Sequence, residues 1–200
     1  MKLYYSPGAC SLSPHIALQE AGLKFDSETV DLRTKKTKSG GDFTQVSPKG
    51  QVPALVLDDG QLLTEGAAMV QYIADRKPES KLAPAAGTME RYRLQEWLNF
   101  IASEVHKGFS PLFNPKTPDD MKQSAIDRLK LRFDYIAQQL AGKKYLLGDA
   151  FSVADGYLFT MLTWARGRKI ETNDALNAYY DRVKVRPAVA ATAQAEGITI

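Results

Sequence analysis

The sequence predicts an α/β N-terminal half followed by a second half that contains only helices. The first half shows the order strand, helix, strand, then strand, strand, helix, read from short apolar runs separated by turn residues and helical patterns. A small-residue segment, 81–87, then precedes a stretch with helical periodicity and no strand pattern. We therefore expect an α/β domain at 1–80, a linker at 81–87 and an all-helical domain at 88–200.

Length, composition and charge fit a globular protein with a substantial core. The chain has 200 residues, of which 44% are hydrophobic, and its net charge of +3 is too small to indicate a nucleic-acid partner. We expect no membrane partner, because no apolar stretch has the length of a membrane span. The first residues lack the apolar core of a secretion signal, and one cysteine forms no internal disulfide, so a cytoplasmic location is expected.

Cys10 is the only cysteine, and it follows the first predicted strand, 3–5. Ser11 or Ser13 suits the N-cap of the next helix, and Pro14 is tolerated only in a first turn. Cys10 therefore lies at or just before a helix N-terminus, which stabilises a thiolate by only about 0.3–1 kcal/mol. A lone cysteine is most often a small buried side chain, but the strand-to-helix junction favours a functional thiol.

The elements of the first half follow in order. Ile16 and Ala17 lie on one face of the first helix, which Gly22 ends, and 25–32 reads as a second strand joined by a parallel crossover. The lysine-rich stretch that follows is predicted to be a solvated loop, and the alternative is that one of its lysines meets an anionic ligand.

A second strand pair and a helix complete this half. Pro53 opens an apolar run, Asp59–Gly60 predicts a hairpin turn, and 61–64 supplies the returning strand. A helix from Glu65 or Gly66 then closes the half.

The helical half begins with Thr88 as the predicted N-cap. Its first helix has an apolar stripe, which consists of Leu94, Leu98, Ile101 and Val105, joined by Trp97. A second face is polar, because Asn99, Ser103 and His106 stand at i, i+4 and i+7. Such a face is either solvated surface or part of a site.

Three further patterns receive structural interpretations. The stripe within 126–140 is typical of a core-facing helix, and Ser152 with Asp155 forms a capping box that starts a buried helix. His15 is expected on the surface, since a protonated histidine is disfavoured at a helix N-terminus. Two histidines and one cysteine show no spacing of a metal site, so we expect no metal.

Three motifs together resemble the bacterial beta class of glutathione transferases. They are Pro7-Gly8-Ala9-Cys10-Ser11, the segment from Ser47 to Pro53, and Thr64-Glu65-Gly66. The order of elements is similar to a thioredoxin-like domain with its cis-proline at Val52–Pro53, and Cys10-Ser11-Leu12-Ser13 resembles the one-thiol site of glutaredoxins. The resemblance implies the glutathione transferase fold and covers nearly the whole chain.

The resemblance also implies an activity and its partners. The co-substrate is glutathione, the second substrate is a small electrophile or a disulfide, and the enzyme is a transferase of alkyl or aryl groups that serves detoxification as a homodimer. The implied catalytic residues are Cys10 and His106. The implied glutathione-binding residues are Ala9, Lys35, Gln51, Val52, Pro53, Glu65, Gly66, Asn99, Ser103, Glu104 and Lys107.

Each end of the tripeptide has an implied partner. The cysteinyl backbone pairs with the main chain of Val52, and Lys35 takes the glycine carboxylate. The γ-glutamyl group meets Glu65 and the helix N-terminus at Gly66, where the broader family has a serine. His106 is the implied hydrogen-bond partner of the sulfur.

Three hypotheses on function remain open from the sequence. The first is catalysis, by conjugation of glutathione to electrophiles or by glutaredoxin-like exchange through Cys10. The second is a non-catalytic protein that binds glutathione or apolar ligands, or a regulatory protein that kept the fold. The third is an unrelated redox sensor, which requires that glutathione does not bind.

Overall fold

The structure is a computed structural model that describes the whole chain, Met1–Ile200. The chain forms two compact units, of which the first contains Met1–Ala83 and Val185–Ile200 and the second contains Pro84–Lys184. The first unit is α/β with a thioredoxin-like order of elements, and the second is helical, so the predicted fold class is confirmed. The C-terminal segment belongs to the α/β unit, which its Ala-rich sequence does not indicate.

The first unit is built on a five-stranded mixed sheet with the order β3-β2-β1-β4-β5. The strands are β1 (Lys2–Tyr5), β2 (Asp26–Asp31), β3 (Lys36–Thr37), β4 (Ala54–Val56) and β5 (Leu62–Thr64). The β1–β2 pair is parallel, and the remaining neighbours are antiparallel. The parallel crossover and the β4–β5 hairpin are therefore as predicted, whereas β3 lies in the stretch predicted to be only a loop.

Three helices accompany this sheet: α1 (Leu12–Glu20), α2 (Gly66–Arg76) and α8 (Pro187–Glu196). Helix α1 contacts both α2 and α8. Leu3 and Leu55 in the central strands are fully buried, as are Val70 and Ile73 of α2. Each such side chain stabilises the fold by about 1.5–3 kcal/mol, so the central strands are firmly fixed, and the loops at their ends start from rigid positions.

The second unit consists of helices and short helical turns. It contains α3 (Met89–Phe100), a π-helical segment (Ile101–His106), a 3₁₀ turn (Lys107–Phe109), α4 (Ser110–Phe113), α5 (Asp119–Gln139), α6 (Val153–Gly167) and α7 (Asp174–Lys184). Thr88 caps α3 as predicted, because its side chain accepts a hydrogen bond from the backbone N–H of Arg91. None of the helices in the chain combines the length and apolar character that crossing a membrane requires.

The start of α6 anchors this unit through the predicted capping box. The buried Asp155 carboxylate accepts hydrogen bonds from the Ser152 backbone and hydroxyl, from the Leu146 backbone and from the Tyr179 hydroxyl. Burial raises the pKa of Asp155, and these hydrogen bonds oppose that rise. Helix α6 therefore begins at a fixed point in the core of the second unit.

Candidate active site

Cys10 lies in the turn between β1 and α1, just before the helix, as predicted. The N–H of Ala9 donates to the Ser6 carbonyl, and the N–H of Leu12 donates to the Ala9 carbonyl, each at 3.0 Å. Ser11 occupies the N-cap position, but its hydroxyl bonds to the Ser6 backbone and makes no cap hydrogen bond. Ser11 is therefore the predicted N-cap residue by position, but its side chain closes the turn that carries the thiol instead of capping the helix.

The thiol of Cys10 faces the main chain of Val52. Its Sγ atom donates to the Val52 carbonyl at 3.2 Å, and the thiol is partly exposed. The Val52–Pro53 peptide bond is cis, as the resemblance implies. Val52 precedes β4, and its N–H takes part in no hydrogen bond within the chain. An extended peptide lying beside Cys10 thus finds a backbone donor at Val52.

Lys35 is held against the backbone two residues before Val52. Its backbone is left-handed, with φ of 58°, and its Nζ atom donates to the Gly50 carbonyl at 2.8 Å. Gln51, between Gly50 and Val52, has an exposed side chain. The structure therefore brings Lys35, Gln51, Val52, Pro53 and Cys10 together along one stretch of backbone, and the lysine ammonium lies at one end of it.

Glu65 and Gly66 mark the start of α2, close to Pro53. Glu65 also has a left-handed φ of 66°, and its exposed carboxylate pairs with Lys49. A Cβ atom added at Gly66 would meet only Pro53 Cγ, at 4.0 Å. The N-terminus of α2 therefore lies beside the cis-proline, with an acidic side chain immediately before it.

The expectation for His15 is wrong, because its side chain is 2% exposed. Its Nδ1 atom lies 2.8 Å from Oε1 of Glu196, at the end of α8, and its ring packs against Tyr5 and Phe25. Oε2 of Glu196 accepts the N–H of Gly8 at 2.8 Å. The C-terminal helix thus fixes the loop before Cys10, a role that no pattern in the tail predicts.

In the second unit, His106 ends the π-helical segment. Its Nδ1 atom lies 2.7 Å from the hydroxyl oxygen of the buried Tyr157, and its ring meets that of Trp164 edge to face at 5.0 Å between centroids. π-helical turns occur frequently at functional sites. Tyr157 and Trp164 lie one and three turns into α6, and no motif in the sequence reveals them as partners of His106.

The π-helical segment also changes the spacing of the predicted polar face. Asn99 and Ser103 are exposed, whereas His106 is half-buried, so the i, i+4, i+7 argument does not extend past Phe100. The Ser103 hydroxyl donates to the Asn99 carbonyl at 3.0 Å.

Two further predicted site residues, one within this segment and one just after it, have exposed side chains. Glu104 pairs with Arg132 at 2.9 Å, and Lys107 is exposed.

A glycine allows this irregular segment to lie close to α5. A Cβ atom added at Gly108 would come within 2.9 Å of Leu129 Cδ2, a distance that real contacts essentially never show. The chain that follows His106 therefore packs directly on a buried leucine, which fixes the end of the π-helical segment. No group of three or more His, Cys, Asp or Glu side chains in the chain is placed to hold a metal ion.

Comparison with known proteins places this arrangement in a family. The family model of the glutathione S-transferase N-terminal domain matches residues 8–76, and the model of the C-terminal domain matches residues 100–187. The chain is 46% identical to glutathione S-transferase GstA of Escherichia coli O157:H7 over 200 residues, which cover 99% of this chain and 100% of that protein. The chain therefore belongs to the glutathione S-transferase family and is a transferase.

Solved structures agree with this assignment over the full length. The ternary complex of BphK, a bacterial glutathione S-transferase, has a TM-score of 0.97 and 56% identity, and the match covers 99% of this chain and 100% of that one. A sphingomonad glutathione S-transferase complexed with glutathione has a TM-score of 0.94 and 48% identity, with full coverage of both chains. The resemblance inferred from the three motifs is thus confirmed at the level of the family.

Proposed function

We propose that this chain conjugates glutathione to small electrophiles and also exchanges glutathione with disulfides through Cys10, as an enzyme of the beta class. The observation that carries the proposal is the 3.2 Å contact of the Cys10 thiol with the Val52 carbonyl next to Pro53, in a member of the glutathione S-transferase family. A cysteine beside the expected path of the tripeptide offers a second nucleophile.

The first unit offers a partner for each part of glutathione. The N–H of Val52 is available to the cysteinyl backbone, and Lys35 lies next to Gly50 with its ammonium near the expected glycine end. The N-terminus of α2 at Gly66 suits the γ-glutamyl carboxylate, and Glu65 suits its ammonium. Ala9 and Gln51 line the same path.

His106 is the proposed hydrogen-bond donor to the glutathione sulfur. The remaining site residues proposed from the helical unit are Asn99, Ser103, Glu104 and Lys107. All four have exposed side chains, and His106 is half-buried. A ligand can therefore reach each of these five side chains. A hydrogen bond to the developing thiolate stabilises the charged form of glutathione at neutral pH.

The two reactions use different sulfur atoms. In conjugation the glutathione thiolate attacks the electrophilic carbon, the C–S bond forms, and the leaving group departs with the bonding electrons. In exchange the Cys10 thiolate attacks a glutathione mixed disulfide and forms its own disulfide with glutathione, while the other thiolate leaves. A second glutathione thiolate then attacks that disulfide, which regenerates Cys10 and yields oxidised glutathione.

The Cys10→Ala and His106→Ala variants test these roles. With a mixed disulfide as substrate, Cys10→Ala should lose exchange, whereas conjugation of an aryl chloride should remain measurable. His106→Ala should lower both rates, by about 10²–10³-fold on the comparison with an oxyanion-hole donor. Intact mass after incubation with oxidised glutathione should show one added glutathione on the wild type only. Full exchange activity in Cys10→Ala would contradict the mechanism.

The proposed active form is a homodimer. Large apolar side chains on α3 and α5 are strongly exposed, among them Met89 at 65% and Leu131 at 62%, together with Tyr92, Met121 and Tyr135. Apolar surface of this kind is typical of faces that pack against a partner. Sedimentation at micromolar concentration should give twice the chain mass, and a single species of 22.1 kDa would contradict the proposal.

A role in detoxification in the cytoplasm completes the proposal. Its support is the family membership and the single cysteine, which forms no internal disulfide, as is usual in a reducing compartment. Cell fractionation with an antibody against the chain, together with sensitivity of a deletion strain to aryl chlorides, tests both parts.

A further inference from the structure

An arginine and three aromatic rings form a continuous cluster of side chains on the second unit. The ring of Trp164 meets Phe113 edge to face at 4.8 Å between centroids and meets Phe109 at 5.5 Å. The guanidinium carbon of Arg168 lies 4.7 Å from the centre of the Phe113 ring. We call Phe109, Phe113, Trp164 and Arg168 the arginine–aromatic patch.

The patch has an accessible side. Phe109 is fully buried and supports the other rings, whereas Phe113 is 46% exposed and Arg168 is exposed as well. Arg168 is the C-cap residue of α6, and its N–H donates to the carbonyl of Trp164 at 3.0 Å, so the two residues lie one turn apart at the end of the helix. A buried ring thus holds the indole, and the exposed part of Phe113 and the guanidinium are accessible to a ligand.

The patch is continuous with His106. The imidazole meets the Trp164 ring at 5.0 Å between centroids, on the same indole that touches Phe113. Under the proposed function, on which this inference rests, His106 lies at the reacting sulfur. A substrate whose reactive carbon reaches that sulfur therefore extends its ring system over the patch.

The charge on the patch is uncompensated. Arg168 forms none of the ion pairs in the chain, and no hydrogen bond of its side chain to a carboxylate is present. Arg166, two residues earlier, stacks on Tyr180 at 4.0 Å, but its guanidinium also meets Asp181 at 4.0 Å and the side-chain oxygen of Asn177 at 3.2 Å. Of these two stacked arginines, only Arg168 lacks an acidic partner.

We propose that Arg168 determines specificity for the second substrate of the proposed function, because it selects one that carries a carboxylate. The substrate class is a planar aryl electrophile with a carboxylate on the ring. The exposed ring of Phe113 suits stacking on such an aromatic system, and the fork of a guanidinium pairs with a carboxylate through two parallel hydrogen bonds. In the reaction, the glutathione thiolate forms a C–S bond at the ring carbon, and the halide leaves with the electrons of the broken bond.

The test compares two aryl chlorides that differ by a carboxylate. They are 1-chloro-2,4-dinitrobenzene and 4-chloro-3,5-dinitrobenzoate, which both lose chloride to the same nucleophile. In Arg168→Gln, the ratio of kcat/KM for the benzoate to kcat/KM for the neutral chloride should fall about tenfold, as expected for a lost charged hydrogen bond. Arg166→Gln removes the same charge two residues away and should leave that ratio within about twofold of the wild type.

A binding measurement keeps the inference separate from the proposed function. The affinities for 3,5-dinitrobenzoate and 1,3-dinitrobenzene, measured by calorimetry, require no turnover, so Arg168→Gln should weaken only the benzoate, about tenfold. Absence of conjugation in the wild type would overturn the proposed function, while this binding result would still decide the inference. Equal affinity for the benzoate in Arg168→Gln and wild type, or an equal loss in Arg166→Gln, would overturn the inference.

Discussion

The Nδ1 atom of His15 lies 2.8 Å from Oε1 of Glu196, and the two side chains are almost completely buried. They are 181 positions apart in the sequence, and the second carboxylate oxygen of Glu196 holds the N–H of Gly8. One buried carboxylate therefore ties α1, α8 and the loop before Cys10 to one another. Because buried polar groups are costly unless they are hydrogen-bonded, this arrangement makes the C-terminal helix a structural part of the thiol site.

Glu196→Gln should destabilise the protein by about 1–3 kcal/mol, since an amide cannot replace both acceptor oxygens of a buried carboxylate. The measurement is the free energy of unfolding in urea. Glu79→Gln is the matched control, because Glu79 forms an exposed pair with Lys77 in the same unit, and its replacement should change the unfolding free energy much less than Glu196→Gln does. Equal effects of the two substitutions would contradict the role given to Glu196.

A second prediction concerns the pH dependence of stability through Glu28. Hydrogen bonds from Lys2 and from Ser39 lower the pKa of Glu28 to about 2. A carboxyl group whose pKa is lowered in the folded state stabilises the fold at pH values above its pKa in the unfolded chain, here 4.5. That contribution is lost as the pH falls towards 2, the pKa in the folded state. At pH 7 the unfolding free energy of the wild type should therefore exceed that of Glu28→Gln by about 1 kcal/mol. The difference is this small because water screens the partly exposed Lys2.

Urea unfolding of both proteins between pH 7 and pH 2.5 tests this. The difference in unfolding free energy should be constant above about pH 5.5 and should shrink steadily below pH 4.5. Asp26→Asn, which removes an exposed carboxylate of the same strand, provides a comparison for nonspecific charge effects. A difference that stays constant down to pH 2.5 would show that the Lys2 pair does not act as described.

The third prediction is that Gly66→Ser strengthens glutathione binding. Space is present, since an added Cβ meets only Pro53 Cγ at 4.0 Å, and the backbone of Gly66 is helical. A hydroxyl at the first residue of α2 adds one hydrogen bond to the γ-glutamyl carboxylate, which is expected to tighten binding about 3–10-fold. Calorimetric titration with glutathione measures the affinity. Gly66→Ala adds the same Cβ without the hydroxyl, so an equal gain in that variant would refute the hydrogen-bond explanation.

Local patterns were sufficient to predict most of the fold. The hairpin at Asp59–Gly60, the Thr88 cap and the Ser152–Asp155 capping box depend on neighbouring residues only, and the structure has all three. The failures involve partners that are distant in sequence. The dipole argument for His15 applies to an exposed imidazole, but Glu196 supplies a buried acceptor that no local pattern reveals.

The site was predicted to a different extent in each unit. In the first unit, the motifs indicated the residues that the structure brings together around Val52, because each motif is a short continuous segment. In the second unit, α-helical spacing was applied to Asn99, Ser103 and His106, although the backbone turns π-helical at Ile101. Nothing in the sequence marks that change, and so the Tyr157 partner of His106 was also missed.

That partner leads to the last prediction, because the two nitrogens of a neutral imidazole have different roles. One is a donor and the other an acceptor, and the hydrogen bond at one nitrogen fixes the tautomer. The hydroxyl oxygen of Tyr157, a buried residue of α6, lies 2.7 Å from Nδ1 of His106. When the hydroxyl donates to Nδ1, the ring proton lies on Nε2, and that N–H is the donor that the proposed interaction with the glutathione sulfur requires.

Tyr157→Phe keeps the packing of the ring and removes only the hydroxyl. We expect kcat for conjugation to fall about tenfold, since a fraction of His106 then takes the other tautomer and has no N–H directed at the sulfur. Nitrogen NMR of the imidazole should show the Nε2–H form in the wild type and a mixture in the variant, a change that a purely structural effect would not produce. Tyr180→Phe, on the ring stacked with Phe159 at 4.7 Å, is the control and should leave both the spectrum and kcat unchanged. A Tyr157→Phe variant with wild-type kcat and an unchanged tautomer would show that the hydroxyl does not orient His106.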